Sequence, residues 1–293
     1  MDIGLYNTCV LDWDLDALLG WAREEDLAAV ELHAGPRYRH LDWQAIADGR
    51  ENPLVDAQER HGVRVCGLMY GRLGFLTPDP DEPGRSLAYL DTLLAAAARS
   101  GVPVVSTFTG RDPARTLDEN LEAYAAVMPR VAELAERHQV DVAFENCPMY
   151  EFWPPDHNIA VSPAIWREQF RLVPSARLGL ELDPSHLVWQ GIDVLRVVEE
   201  FAGRIKMVQA KDTEVLRDVL RDEGMLTLRW WRHRVPGEGM VDWPSFLAAL
   251  RRAGYDGAVT IEHEDPVHSG SEERVLEGVR SARDHLRRSL PGA

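Results

Sequence analysis

Three short apolar runs in this chain end in acid. They are Val142-Ala-Phe-Glu145, Leu178-Gly-Leu-Glu-Leu-Asp183 and Val259-Thr-Ile-Glu262. Each has the length and composition of a buried strand, so each carboxylate stands where the chain leaves a sheet. His186 follows Asp183 by three residues, across Pro184. An aspartate and a histidine at a strand's C-terminal rim suit a metal site or a polar substrate. The competing reading is an Asp that caps the next helix and a His that packs. A fourth run, Arg204-Ile-Lys-Met-Val-Gln-Ala210, brings Gln209 to a corresponding end. Buried carboxylates are costly unless paired, and a divalent cation is the economical partner. The expected ligands are Glu145, Asp183, Gln209 and Glu262. Carboxylates with an amide oxygen and water form an oxygen-rich shell. That favours Mn²⁺ or Mg²⁺, with Zn²⁺ and Co²⁺ as alternatives.

The elements that position these groups alternate along the chain. Strands are expected at residues 2–6, 29–33, 63–70, 102–107, 141–145, 178–183, 204–210 and 257–262. Helical spacing follows at 14–25, 53–61, 84–100, 116–139, 162–173, 193–201, 243–253 and 271–288. Asp14 is a suitable N-cap, and Gly62 and Gly101 are suitable stops. Eight strands each followed by a helix predict an α/β protein, a single (β/α)8 TIM barrel over residues 1–293. A long insertion is expected after strand seven, at about 213–242, with a helical piece near 214–223. A doubly wound sheet is the rival fold. Against it, Leu5-Tyr-Asn-Thr-Cys9 carries no glycine-rich phosphate fingerprint.

Bulk properties narrow the function classes. The 293 residues are 45% hydrophobic, enough for a sizeable core, and the net charge is −16. Such a surface opposes nucleic-acid and anionic-membrane binding. Cys9, Cys66 and Cys147 are few, odd in number and without a CxxC pair, so a reducing, cytoplasmic location is expected. Met1-Asp-Ile-Gly-Leu-Tyr lacks a basic region and an apolar signal core, and no apolar run approaches a membrane span. The expected partner is a small molecule, with a homo-oligomer left open.

Several segments carry a family resemblance. Phe144-Glu-Asn-Cys-Pro148, Leu182-Asp-Pro-Ser-His186, Gln209-Ala-Lys-Asp212, Arg234-Val-Pro-Gly-Glu-Gly-Met-Val-Asp-Trp243 and Ile261-Glu262 resemble the sugar-phosphate isomerase/epimerase superfamily, the xylose-isomerase-like barrels. That group includes ketose 3-epimerases, inosose dehydratases and the AP-endonuclease family. The resemblance implies metal ligation by Glu145, Asp183 and Glu262. At the fourth position the pattern His-x-Lys-Asp is here Gln209-Ala-Lys-Asp212, and an amide oxygen is a weaker ligand than imidazole. It further implies substrate contacts by His186 and by Glu151, six residues after Glu145.

The chemistry so implied is enolisation of a sugar carbonyl. Glu145 and Glu262 would be the catalytic pair, one removing a proton from carbon and the other returning one. Return to the opposite face gives epimerisation, return to the neighbouring carbon gives isomerisation, and loss of a β-group gives elimination. The leading expectation is therefore a metal-dependent isomerase or epimerase of a free sugar, keto-sugar or cyclitol. The alternatives are a lyase acting on an inosose or 3-oxo-glycoside, and a non-catalytic sugar-binding protein or subunit with a degenerate metal site. Substrate-binding candidates are His186, Glu151, Arg234, His233, Lys211 and Trp153. Arg234 could grip a hydroxyl, carboxylate or phosphate, and His233 is weighed as a surface histidine. Trp189, Trp230 and Trp231 could wall a sugar site, whereas Trp166 reads as core. His33 and Tyr70 end strands and could reach the pocket. His263 and Glu264 are expected to support Glu262 or lie on the surface.

Overall fold

The computed structural model describes residues 1–149, 157–290 and 292. Eight parallel strands close a barrel in the order β1-β2-β3-β4-β5-β6-β7-β10. They are β1 (Asp2–Tyr6), β2 (Ala29–His33), β3 (Arg64–Met69), β4 (Val104–Thr107), β5 (Asp141–Glu145), β6 (Leu178–Leu182), β7 (Ile205–Ala210) and β10 (Ala258–Ile261). Two further strands, β8 (Asp212–Val215) and β9 (Trp231–Arg234), pair antiparallel as a separate hairpin. The expected TIM barrel is the fold found.

Strand alternation sorts the residues. Leu5, Val30, Leu32, Val105, Val142, Leu178, Leu180, Val208 and Ile261 join the large core shared with the helices. Inside the barrel a small apolar floor forms from Ala29, Cys66, Val104, Ala143, Met207 and Ala258. Two residues further along their strands come Glu31, Gln209 and Thr260, each with no exposed surface. Glu145, two beyond Ala143, stands at the C-terminal mouth with Lys211 and Glu262, two beyond Gln209 and Thr260. The polarity of the interior thus rises toward that mouth.

Helix ends follow the expected chemistry. The side chain of Asp14 accepts from Ala17 N, and Thr116 with Glu119 forms a capping box on the longest helix, Leu117–His138. Two short helices escaped the periodicity argument, Trp43–Ala47 and Pro184–Gln190. The insertion also differs from expectation. Residues 214 and 215 belong to β8, and the helix is confined to Arg217–Glu223. No strand was expected at 231–234, because Trp-Arg-His-Arg offers no alternation of apolar and polar residues.

Asp212 anchors this hairpin. Its Oδ1 accepts from Thr213 N and Val241 N at 2.8 and 2.9 Å, and its Oδ2 accepts from Gly237 N and Trp243 Nε1 at 3.0 and 2.9 Å. Gly239 permits the approach, since a Cβ there would lie 2.2 Å from Asp212 Oδ1. Asp212→Ala would leave four donors without their acceptor. The expected loss is roughly 3–5 kcal/mol, since bonds to charged groups are the strong ones and orphaned donors are penalised. Urea unfolding measures it, and a loss below about 1 kcal/mol would contradict this role.

Candidate metal centre

Each acid at the barrel mouth is fixed by its own strand end. The Asn146 side chain accepts from Asp183 N at 2.8 Å and donates to Asp183 O at 2.9 Å, locking the end of β5 to that of β6. Asn158 donates to Glu145 O and Cys147 O, both at 2.9 Å. Its Oδ1 accepts from Thr109 Oγ1 at 2.8 Å, which ties in the end of β4. Neither asparagine was singled out from the sequence. Asn146 directly follows Glu145, and that adjacency was the available signal.

Asp183 plays both parts that its sequence position allows. Its Oδ1 accepts from Ser185 N at 2.8 Å and caps the helix Pro184–Gln190. Its Oδ2 is buried and turned to the site, with Lys211 Nζ 3.1 Å away. One carboxylate oxygen apiece from Glu145, Asp183 and Glu262 lie within 4.8 Å of one another. The three residues are 3%, 0% and 7% exposed, so water does little to screen them. Burial pushes Glu145 up to about 8 and Glu262 well above the carboxylate range, although Lys211 pulls both back.

Lys211 is the one cation held among these acids in the described residues. Its Nζ lies 2.6 Å from Glu262 Oε2, 2.9 Å from Glu264 Oε2 and 3.1 Å from Asp183 Oδ2. Burial works to lower its pKa, but Glu262, Glu264 and Asp183 outweigh burial and hold it well above the lysine range. Glu264, expected to support Glu262 or lie on the surface, is about half exposed and joins the cluster through Lys211.

His186 faces the same cluster. Its Nε2 is 3.3 Å from Asp183 Oδ2 and 3.7 Å from Glu145 Oε1, and makes no hydrogen bond. Trp189 Nε1 donates to His186 Nδ1 at 3.4 Å. An indole can only donate, so Nδ1 is the acceptor and the ring proton sits on Nε2. Burial lowers the pKa of His186 to about 4, which keeps the ring neutral. A group of Glu145, Cys147 and His186 also has ligand atoms within 4.8 Å. The proton on Nε2 disfavours it against the three carboxylates. Another acid–histidine group, Glu238, Asp265 and His268, is already neutralised by Arg234.

The remaining site candidates divide as follows. The His233 ring packs 5.6 Å from that of His186 and edge-on to Trp231, with burial lowering its pKa to about 3. With its side chain 21% exposed, it is half-buried at the wall of the site and not the surface histidine expected. Arg234 is expended on structure, with Nε on Asp265 at 2.8 Å, Nη1 on Glu214 at 3.1 Å and Nη2 on Glu238. That corrects its expected substrate contact, because every nitrogen of the guanidinium already faces a carboxylate. Trp189 and Trp231 stack in parallel at 4.7 Å and, with Cys147, Pro148, Met149, His186, His233 and Glu264, line a cavity of about 190 Å³ beside the acids. Trp166 is core, as expected. His33 ends β2 with Nδ1 3.3 Å from Tyr6 Oη and its ring against Tyr70. Glu151 and Trp153 lie outside the described residues.

Gln209 sits one inward position below Lys211 on β7. Its Nε2 donates to Glu31 Oε2 at 3.4 Å, while its Oε1 is buried without a partner. Three clustered carboxylates and this free amide oxygen are all hard oxygen donors. As a set they fit a divalent cation such as Mg²⁺ or Mn²⁺.

Comparison with known proteins agrees with this fold. The family model described as a xylose isomerase-like TIM barrel matches residues 19–288. An inosose dehydratase of Geobacillus thermodenitrificans is 33% identical over 116 residues, 38% of this chain and 38% of that protein. The chain therefore spans about two fifths of the length of that curated relative. Among solved structures, a D-psicose 3-epimerase from Clostridium cellulolyticum with D-tagatose is similar at a TM-score of 0.76. Its identity is 17%, with 99% of each chain covered. The IOLI protein with a zinc atom is similar at a TM-score of 0.74, with 17% identity and 99% of each chain covered.

Proposed function

Because the chain belongs to the xylose isomerase-like TIM barrel family, we propose that it is a metal-dependent carbohydrate isomerase or epimerase. Its substrate would be a free sugar, keto-sugar or cyclitol. The observation that carries this reading is the meeting of Glu145, Asp183 and Glu262 oxygens within 4.8 Å at the barrel mouth. Glu145, Asp183 and Glu262 would hold the ion, with Gln209 Oε1 as the fourth donor. A divalent ion held there supplies a Lewis acid that polarises a sugar carbonyl and its neighbouring hydroxyl. Mn²⁺ or Mg²⁺ suits the all-oxygen set, and the zinc in the IOLI protein keeps Zn²⁺ open.

The chain's own residues do the proton work. Glu145 and Glu262 stand on strands separated by β6 and β7, so they approach a bound ring from different sides. One takes the proton from the carbon beside the carbonyl, and the other returns a proton. His186 Nε2–H donates to a substrate oxygen, and the permanent charge of Lys211 steadies oxygen that becomes negative during the transfer. His233 and the stacked Trp189–Trp231 pair form the wall against which a sugar ring lies. One (β/α)8 domain over residues 1–293 carries this site. No helix among the described residues is long and apolar enough to cross a membrane. With three free cysteines, we place the protein in the cytoplasm.

A second reading is a lyase that eliminates water from an inosose at the same site. The stretch shared with inosose dehydratases favours it. Both readings begin with removal of a proton beside a carbonyl. The test is therefore deuterium uptake in D₂O with Mn²⁺, using a panel of ketoses, inososes and 3-oxo-sugars. Exchange with recovery of an epimer or isomer is the expected result. Exchange with loss of water selects the lyase, and no exchange from any member rejects both.

A further inference from the structure

Gln209 is a weak choice of ligand unless something decides which end of its amide faces the ion. A primary amide has a donor end and an acceptor end of nearly equal size, and the two can exchange by a half-turn. Only the oxygen can ligate. Beside Gln209, in the same inward layer of the barrel, lies Glu31, with no exposed surface. Its Oε2 accepts from Thr260 Oγ1 at 2.8 Å and from Gln209 Nε2 at 3.4 Å. The strand register supports this arrangement, since Gln209 pairs directly with Thr260 across β7 and β10. Gln209 itself is fully buried, and its Oε1 is left without any hydrogen-bond partner. A buried carbonyl oxygen without a partner is a penalised state, and it persists only where something else repays it.

We propose that Glu31 is a positioning residue, which binds the amide nitrogen of Gln209 so that the amide oxygen is presented to the divalent ion. This rests on the metal-dependent reading above. Glu31 does not touch the ion or the substrate. It sets the orientation of the group that does, as outer carboxylates do for ligating histidines. The Glu181 carboxyl faces Glu31, and the contact to the Gln209 amide nitrogen is made by Glu31. Thr260 holds the Glu31 oxygen in place from the other side. The difference from a general field effect is clear. A negative charge at Glu31 would favour any cation above it whatever stands at position 209. An orienting role vanishes once the amide is gone.

The experiment is calorimetric titration of the metal-free protein with MnCl₂. Four proteins are compared: wild type, Q209L, E31M and the E31M/Q209L double variant. The expected result is a loss of about tenfold in Mn²⁺ affinity for Q209L and for E31M, within the range seen for substitutions around a bound metal. Methionine at position 31 offers the Gln209 nitrogen no acceptor, so nothing holds the amide with its oxygen toward the ion. The double variant should bind as Q209L does, because the two changes act through one contact. Methionine keeps much of the volume at a position where burial already disfavours the charged carboxylate, so E31M is expected to fold. T260V supplies an independent check, with a smaller loss that also disappears in the Q209L background. Losses that multiply in the double variant, or an E31M protein with wild-type affinity, would overturn the proposal while leaving the metal-dependent reading intact. A wild-type protein that binds no Mn²⁺, Mg²⁺ or Zn²⁺ would overturn both.

Discussion

Glu145→Gln and Glu262→Gln should each reduce solvent-deuterium exchange into one of the two epimers by at least about a hundredfold at saturating Mn²⁺, within the range for positioned acid–base groups. Glutamine keeps the shape and one oxygen donor of the carboxylate but cannot cycle a proton. The loss should therefore appear in the rate at saturating substrate, with the Michaelis constant little changed. The two variants should fail differently. Each should lose exchange into the epimer whose proton the missing residue removes, and each can still label the other epimer through the carboxylate that remains, but neither should interconvert the two. Assaying both epimers as substrates separates the roles. An exchange rate equal to wild type from both epimers in either variant would remove that residue from the proton pathway. Burial already disfavours the charged form of Glu145, so the metal-free Glu145→Gln protein should be at least as stable as wild type, whereas Glu262→Gln gives up the 2.6 Å ion pair with Lys211 and should be less stable.

The residues whose chemistry depends on strand position were legible in the sequence. Glu145, Asp183 and Glu262 could be read because a parallel barrel sends all strand ends to one rim, so three acidic ends must converge. The residues whose role depends on cross-chain contacts were not. Asn146 and Asn158 act on backbone groups of Asp183, Glu145 and Cys147, and no local pattern marks such partners. Glu264 follows the expected ligand by two residues, yet its place in the site comes from the reach of Lys211 across from β7. Arg234 misled because an arginine beside a proline–glycine turn looks available. Three carboxylates, all distant in sequence or on the turn itself, occupy it. Glu31 was passed over as an interior strand residue. Only the closed barrel shows that β2 and β7 point those side chains at each other.

Lys211→Met should tighten divalent binding, on the order of tenfold or more, although it removes a residue from the heart of the site. The lysine ammonium already sits on Glu262 Oε2 and Asp183 Oδ2, two of the three carboxylates that would hold the ion. Any cation bound to those oxygens must either displace the ammonium or accept its repulsion. Two unit charges about 4 Å apart interact by roughly 4 kcal/mol at an effective dielectric of about 20, and a divalent ion feels more. Part of that penalty is relieved because Lys211 can lean toward Glu264, whose side chain is 48% exposed. The net effect is therefore set at about 1.4 kcal/mol or more, which is the free energy of a tenfold change. The same substitution should lower the stability of the metal-free protein, because buried carboxylates lose their one cation. Added Mn²⁺ should restore it by mass action. Calorimetric titration and thermal unfolding with and without Mn²⁺ read the two effects in opposite directions. If Lys211→Met bound Mn²⁺ more weakly than wild type, the ammonium would instead be what holds Glu262 and Asp183 in place for the ion. Lys211 would then be a support of the metal centre and not its competitor.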